Sequence, residues 1–174
     1  METQLKAVIR EVPDFPIPGI NFKDISPIFL DPLLMQDVIR ALVNEWQGKG
    51  ITKVIGIDSR GFLFGPQLAQ ELGAGFVMVR KKGKLPPETI SVSYSLEYGE
   101  ATLESVVDSI QPGDKVIVHD DLLATGGTAR AAALLAQKLG AEVLGFSFLV
   151  HLSFLEGEAK VKEASSNIHA LVTY

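Results

Sequence analysis

The chain has no cysteine. That one absence removes disulfides, thiolate metal centres and cysteine nucleophiles together. No apolar run reaches the length of a transmembrane helix. Met1 to Arg10 carries the acid Glu2 and lacks the long apolar stretch of a signal peptide. The expectation is a soluble, cytoplasmic protein with no membrane partner. Positive charge is scarce: 16 Lys and Arg stand against 21 Asp and Glu, a net charge of −5. A balance of that sign argues against nucleic-acid binding. No GxxxxGKS/T occurs, so a P-loop is excluded, and no GxGxxG follows the first strand, so a dinucleotide site lacks its fingerprint. No internal repeat, low-complexity segment or linker divides the sequence.

What is present in quantity is apolar residues, 47% of 174. One domain spanning residues 1–174 can bury a core of its own with that supply. Residues 3–10 read as a short helix with Thr3 as cap. The stretch from Pro13 to Gly19 holds too many prolines for a regular element. Asp31-Pro32 reads as a helix N-cap followed by proline at the first turn. Leu34, Val38, Leu42 and Trp46 then recur every four residues along that helix. Strands are expected at Lys53 to Ile57, Phe76 to Val79, Val116 to Val118, Val143 to Val150 and Ile168 to Val172. Helices are expected up to Leu72, from Ala129 to Leu139, and from Phe154 to Ala164. Residues 89–107 alternate enough for a hairpin or an extended flap. Strands alternating with helices predict an α/β fold, a mostly parallel central sheet flanked by helices. Ligands of such sheets sit at the carboxyl ends of the strands.

Chemistry concentrates in VIVHDDLLATGGT, Val116 to Thr128. A buried strand leads to Asp120 and Asp121, then to the small loop Ala124, Thr125, Gly126, Gly127 and Thr128, then to an alanine-rich helix. Glycines let backbone N–H groups converge on a phosphate, and a helix N-terminus adds unpaired donors and a favourable dipole. Two carboxylates at a strand end accept hydrogen bonds from ribose hydroxyls. An Asp-rich turn with a glycine bend accounts for the glycines but not for both acids together with Thr-Gly-Gly-Thr. A second cluster, Arg80, Lys81, Lys82 and Lys84, puts four cations within five positions of an acidic chain. It suits a small polyanion, although such a run also serves as a solvated loop.

The segment from Val116 to Thr128 resembles the phosphoribosyl-pyrophosphate motif of the type I phosphoribosyltransferases. Four further stretches resemble the adenine-specific branch: DFPIPGINFKDISP (Asp14 to Pro27), DSRGFLFG (Asp58 to Gly65), RKKGKLP (Arg80 to Pro86) and YSLEYG (Tyr94 to Gly99). They stand in the family's order, from near the N-terminus to Thr128. The resemblance implies the type I phosphoribosyltransferase fold, with an N-terminal hood over residues 1–32 that binds the base and a flexible flap over residues 82–104. It implies purine salvage: adenine and phosphoribosyl pyrophosphate give AMP and pyrophosphate. The flanking rivals are a hypoxanthine, guanine or xanthine enzyme of the same fold, and a non-catalytic sensor of phosphoribosyl pyrophosphate.

The same resemblance distributes the roles. Residues Ala124 to Thr128 hold the 5-phosphate, and Asp120 and Asp121 grip the ribose. Asp58, Ser59, Arg60, Arg80, Lys81 and Lys84 bind pyrophosphate, and the turn at Asp58-Ser59 is the place for a strained, even cis, peptide. Phe22 stacks on adenine, backbone groups of Asn21 and Lys23 read its edge, and Leu123 covers its other face. Glu97 is the acid/base and Tyr98 helps close the flap, with Arg60 also counted among the catalytic groups. Glu100 and Glu104 are expected to be solvated acids. Magnesium is expected on substrate oxygens and water, with no direct protein ligand. A homodimer is implied, and apolar positions in the proline-broken first 30 residues agree with one. His119 is expected to be a satisfied core or edge residue.

Overall fold

The computed structural model describes residues 1–96 and 99–174. In chain order its elements are α1 (Glu2–Val8), β1 (Arg10–Val12), β2 (Phe22–Asp24), α2 (Ser26–Phe29), α3 (Pro32–Trp46), β3 (Lys53–Ile57), α4 (Gly65–Glu71), β4 (Gly75–Lys81), β5 (Thr89–Leu96), β6 (Gly99–Val106), β7 (Lys115–Leu123), α5 (Gly127–Lys138), β8 (Glu142–His151), α6 (Gly157–Val161) and β9 (Ile168–Thr173). Among the described residues, seven strands form one sheet in the order β5-β6-β4-β3-β7-β8-β9. The pairs from β4 through β9 are parallel, while β6 runs antiparallel to both β4 and β5. β1 and β2 form a separate two-stranded ribbon.

Alternation along the central strands divides the core between the two faces of the sheet. Ile55, Val116 and Val118 point to one face and pack with Ala132, Leu135 and Phe146 beneath α5. Val54 and Ile117 point to the other and pack with α3, α4 and the N-terminal segment, including Leu5 and Ile28. The four-residue repeat Leu34, Val38, Leu42 and Trp46 is buried along its whole length. Both carboxylate-to-amide bonds expected of the Asp31 cap are made, to the amides of Leu33 at 2.9 Å and Leu34 at 3.1 Å. No helix of the described residues is long and apolar enough to cross a membrane.

Several boundaries differ from the sequence reading, each for a local reason. β7 is longer than its apolar core and carries both acids within the strand, because pairing with β8 continues through Asp120↔Phe148 to Leu123↔His151. α5 begins at Gly127 rather than Ala129, behind Gly126 in the left-handed region. The polar helix expected from Phe154 to Ala164 shrinks to Gly157–Val161, since Glu156 adopts a left-handed φ of 53° and stops the preceding turn. The 89–107 hairpin forms as expected, but it is welded to the sheet edge by Arg80↔Glu104 and Lys81↔Leu103.

The Asp31 cap yields a stability test. Asp31→Ala should cost about 1 kcal/mol, which lowers the Tm of a chain this size by roughly 2–4 °C. Thermal unfolding at neutral pH measures it, and an unchanged Tm would show that α3 does not depend on this cap.

Candidate active site

Parallel pairing brings the carboxyl ends of β3, β4 and β7 to one edge of the sheet. There they line a cleft of about 380 Å³ formed by residues including Asp58, Ser59, Arg60, Lys81, Asp120 and Asp121. Beyond the acid pair lies a smaller pocket of about 80 Å³, lined by Asp120, Leu122 to Thr128 and Ala129. Asp120 and Thr128 border both spaces. A glycine-loop pocket, two acids and a cationic cleft therefore follow one another as a continuous track.

The acid pair is electrostatically tense. Asp121 is 2% exposed. Burial raises the Asp121 carboxyl above its ordinary value, and the nearby Arg60 guanidinium, 3.2 Å away, opposes that rise. Burial and the neighbouring charge of Asp121 push Asp120 up well above the ordinary carboxyl range. One Asp120 oxygen accepts a hydrogen bond from the Asp121 amide at 2.9 Å. Asp121 Oδ2 is buried and has no hydrogen bond of good geometry, only its ion pair with Arg60. Arg60 spans the site: it pairs with Asp121 and lies 5.1 Å above the Phe22 ring.

Arg80 and Lys84 do not line the cleft but are both held by Asp58, which does. Arg80 Nε meets Asp58 Oδ2 at 3.1 Å, and Lys84 Nζ meets the same oxygen at 3.3 Å. Burial disfavours the Asp58 charge, but hydrogen bonds from Arg80 and Lys84 outweigh it and keep the carboxyl below its usual value. Asp58 is thus an anchor for two of the expected pyrophosphate cations, while Ser59, Arg60 and Lys81 line the cleft itself. The Asp58-Ser59 peptide is cis, at the turn where the sequence points to one.

The phosphate loop is shaped by a backbone crossing. Gly126 has φ +75°, and a Cβ there would stand 2.4 Å from the carbonyl oxygen of Gly157. A Cβ on Gly157 would stand 2.0 Å from the carbonyl oxygen of Ala124. Neither residue tolerates a side chain, so the start of α6 backs the loop directly. The hairpin also reaches the loop, with the Tyr94 hydroxyl 3.2 Å from that of Thr128. Sequence reading missed Gly157 and Tyr94, since each matters only through a contact distant in the chain.

On the hood, Phe22 begins β2, edge-on to Phe15 at 5.2 Å. The side chains of Asn21 and Lys23 both turn to Glu11, at 2.6 and 3.1 Å, and Lys23 lies 3.8 Å over the Tyr174 ring. Their side chains are therefore committed elsewhere. Leu123 does not meet the expectation of facing Phe22. It is 1% exposed and packs beneath α5. Leu122 packs instead with the cluster that includes Ile25 and Ile28 from the N-terminal segment.

His119 is fully buried against Phe64, and burial depresses it to about 4. Its ring nitrogens make no hydrogen bond of strict geometry, with the Ser147 backbone as the neighbouring polar partner, so it is a neutral core residue. Glu100 is exposed, as expected, whereas Glu104 is 4% exposed and fully engaged. Glu97 and Tyr98 lie outside the described residues.

Residues 28–169 match the model of the phosphoribosyl transferase domain. An adenine phosphoribosyltransferase from Anaeromyxobacter dehalogenans is 54% identical over 174 residues, all of both chains. The chain belongs to the adenine phosphoribosyltransferase family. A crystal structure of an adenine phosphoribosyltransferase from Rhodothermus marinus is 50% identical, with TM-score 0.94 over 99% of this chain and 97% of that one. A Saccharomyces cerevisiae adenine phosphoribosyltransferase, complexed with an imino-altritol bisphosphate and adenine, is 41% identical, with TM-score 0.91 over 97% of each. The family resemblance read from five stretches of sequence thus holds over the whole length, and the type I fold with it.

Two substitutions probe this geometry. Gly157→Ala inserts a methyl group against the phosphate loop, and overpacking of that kind costs about 1–3 kcal/mol. It should lower the Tm and weaken AMP binding in titration calorimetry. Wild-type values for both would remove Gly157 from the loop's support. Asp120→Asn should do the opposite to stability. Because the folded carboxyls are raised, the folded protein retains protons that the unfolded chain releases, and stability falls as pH climbs above the ordinary carboxyl value of about 3.9. Removing one charge should therefore raise the Tm of the ligand-free protein at pH 7, with the gain vanishing below that value, while phosphoribosyl pyrophosphate binding weakens. A lower Tm at pH 7 would contradict the like-charge account.

Proposed function

We propose that the chain joins adenine to phosphoribosyl pyrophosphate, releasing pyrophosphate and forming AMP. The observation that carries this reading is the track itself, in which the acid pair stands between a glycine-loop pocket and a cationic cleft. A sugar bearing a phosphate at one end and pyrophosphate at the other matches that sequence of charges. Backbone amides of residues 124–128 and the hydroxyls of Thr125 and Thr128 receive the 5-phosphate. Asp120 and Asp121 accept from the ribose hydroxyls, and their charge favours the positive character that develops at the anomeric carbon. Substrate hydroxyls and the cations accompanying them relieve the repulsion between the two acids.

Ser59, Arg60 and Lys81 take the leaving pyrophosphate, with Arg80 and Lys84 delivered beside them by Asp58. Arg60's fork of donors suits phosphate oxygens. Phe22 stacks on adenine, Leu122 in place of Leu123 covers the opposite side, and backbone groups of Asn21 and Lys23 read the base edge. Adenine entering beside Phe22 displaces the Arg60 guanidinium from the ring toward the cleft. Glu97 exchanges the proton at the base, and Tyr98 helps residues 82–104 shut out water.

No three His, Asp or Glu side chains converge as a metal cage among the described residues. The carboxylates of Asp120 and Asp121, which border the cleft, suit a water or hydroxyl already attached to a cation, so the residues fit magnesium carried in on the substrate. Bound there, magnesium would neutralise pyrophosphate charge. We further propose a homodimer, supported by exposed Phe15, Ile17, Ile20, Leu30 and Leu33 on and near the hood. A cytoplasmic site of action fits an enzyme whose substrates are phosphorylated.

The decisive assay is AMP formation from adenine, phosphoribosyl pyrophosphate and magnesium, with guanine, hypoxanthine and orotate as controls. Turnover of guanine or hypoxanthine in preference to adenine would reassign the base, and none with any base would favour a sensor. Glu97→Gln should lower turnover about 10²–10⁴-fold, the usual range for lost acid/base help, with phosphoribosyl pyrophosphate affinity nearly unchanged. Near-normal turnover would mean the site works by positioning and charge alone.

A further inference from the structure

Glu104 sits on β6, away from every expected role, yet it is 4% exposed. A buried carboxylate persists only when hydrogen bonds replace its water. Here Oε1 accepts from the amides of Gly83 at 2.9 Å and Leu85 at 3.3 Å, and Oε2 accepts from the Thr89 hydroxyl at 3.3 Å. The two amides flank Lys84. The Lys84 carbonyl accepts from Arg80 Nη1 at 3.1 Å, and its ammonium meets Asp58 at 3.3 Å. Lys84 is therefore fixed at its amide neighbours, its carbonyl and its charge. Gly83, with φ +84°, gives the chain the bend that turns both flanking amides onto one oxygen.

We propose that Glu104 is a positioning residue for pyrophosphate: it pins the backbone of residues 83–85 so that Lys84 and Arg80 stand ready at the cleft before substrate arrives. This rests on the reading above that these cations serve pyrophosphate. Glu104 touches no reacting atom. Its three donors are neutral groups, and the guanidinium of its cross-strand neighbour Arg80 is spent on Asp58. Without the carboxylate, the loop must be ordered at the moment of binding, and that conformational entropy is subtracted from affinity. The glycine loop and the acid pair lie on other elements and do not depend on it.

Titration calorimetry with magnesium pyrophosphate and, separately, with AMP distinguishes the outcomes. Glu104→Ala should weaken pyrophosphate binding about tenfold, the cost of ordering roughly one residue's backbone on binding, and leave AMP binding unchanged. KM for phosphoribosyl pyrophosphate should rise with it more than kcat falls. Glu104→Gln keeps an acceptor for both amides and a donor for Thr89, so it should restore most of the affinity. Unchanged pyrophosphate affinity in Glu104→Ala, or an equal loss for AMP, overturns the proposal. Lys84→Ala separates the two levels. If it leaves pyrophosphate affinity intact, the cation assignment fails and the positioning role fails with it. If Lys84→Ala weakens binding and Glu104→Ala does not, only the role of Glu104 fails. Should Glu104→Ala not fold, hydrogen exchange on the ligand-free wild-type protein decides: the Gly83 and Leu85 amides should be protected, and exchange at unprotected rates overturns the clamp.

Discussion

Two carboxylates packed side by side in the last turns of a buried strand are the constraint around which this site is arranged. Asp120 and Asp121 gain nothing for the ligand-free fold. Burial raises both, the charge of Asp121 raises Asp120 further, and Arg60 answers only part of that cost. They stay because β7 is paired with β3 as far as His119 and with β8 through Asp120 and on to Leu123. The sheet holds the acids where an isolated turn would let them swing apart. Under the proposed function, ligand hydroxyls would meet acceptors already in place, the usual source of transition-state stabilisation in a site that need not reorganise.

The cations are treated in the mirror image of this. Free lysines and arginines would wander in solvent and repel one another. Here Asp58 holds the charged ends of Arg80 and Lys84, and Glu104 holds the backbone between them. Each anion is protected from water and each spends its charge on position. The site thus sets acids whose charge is only partly answered opposite cations whose charge is lent to internal partners.

Much of this was readable in the chain. The α3 repeat and the Asp31 cap are local patterns, and the sheet strands announce themselves by apolar runs between glycine turns. The motif residues from Asp120 to Thr128 and the turn at Asp58 to Arg60 lie where strand ends must place them. Other features resisted. Leu122 and Leu123 are identical in type and adjacent, and only the packing of α5 on one side and the hood on the other tells them apart. Glu104 resembles any flap acid until strand pairing brings it under residues 83–85.

The residue types and their order determined the family, the parallel sheet and the chemistry on offer, because phosphate loops, caps and periodic burial are written within a few residues of one another. Tertiary structure decided which acid is a clamp, which leucine packs beneath α5 and why position 157 must be glycine. Those answers depend on contacts between segments tens of residues apart, such as Gly126 against Gly157 and Glu104 against Gly83. Burial and hydrogen-bond supply at a crossing point are set by both segments together, so neither stretch of sequence carries them alone.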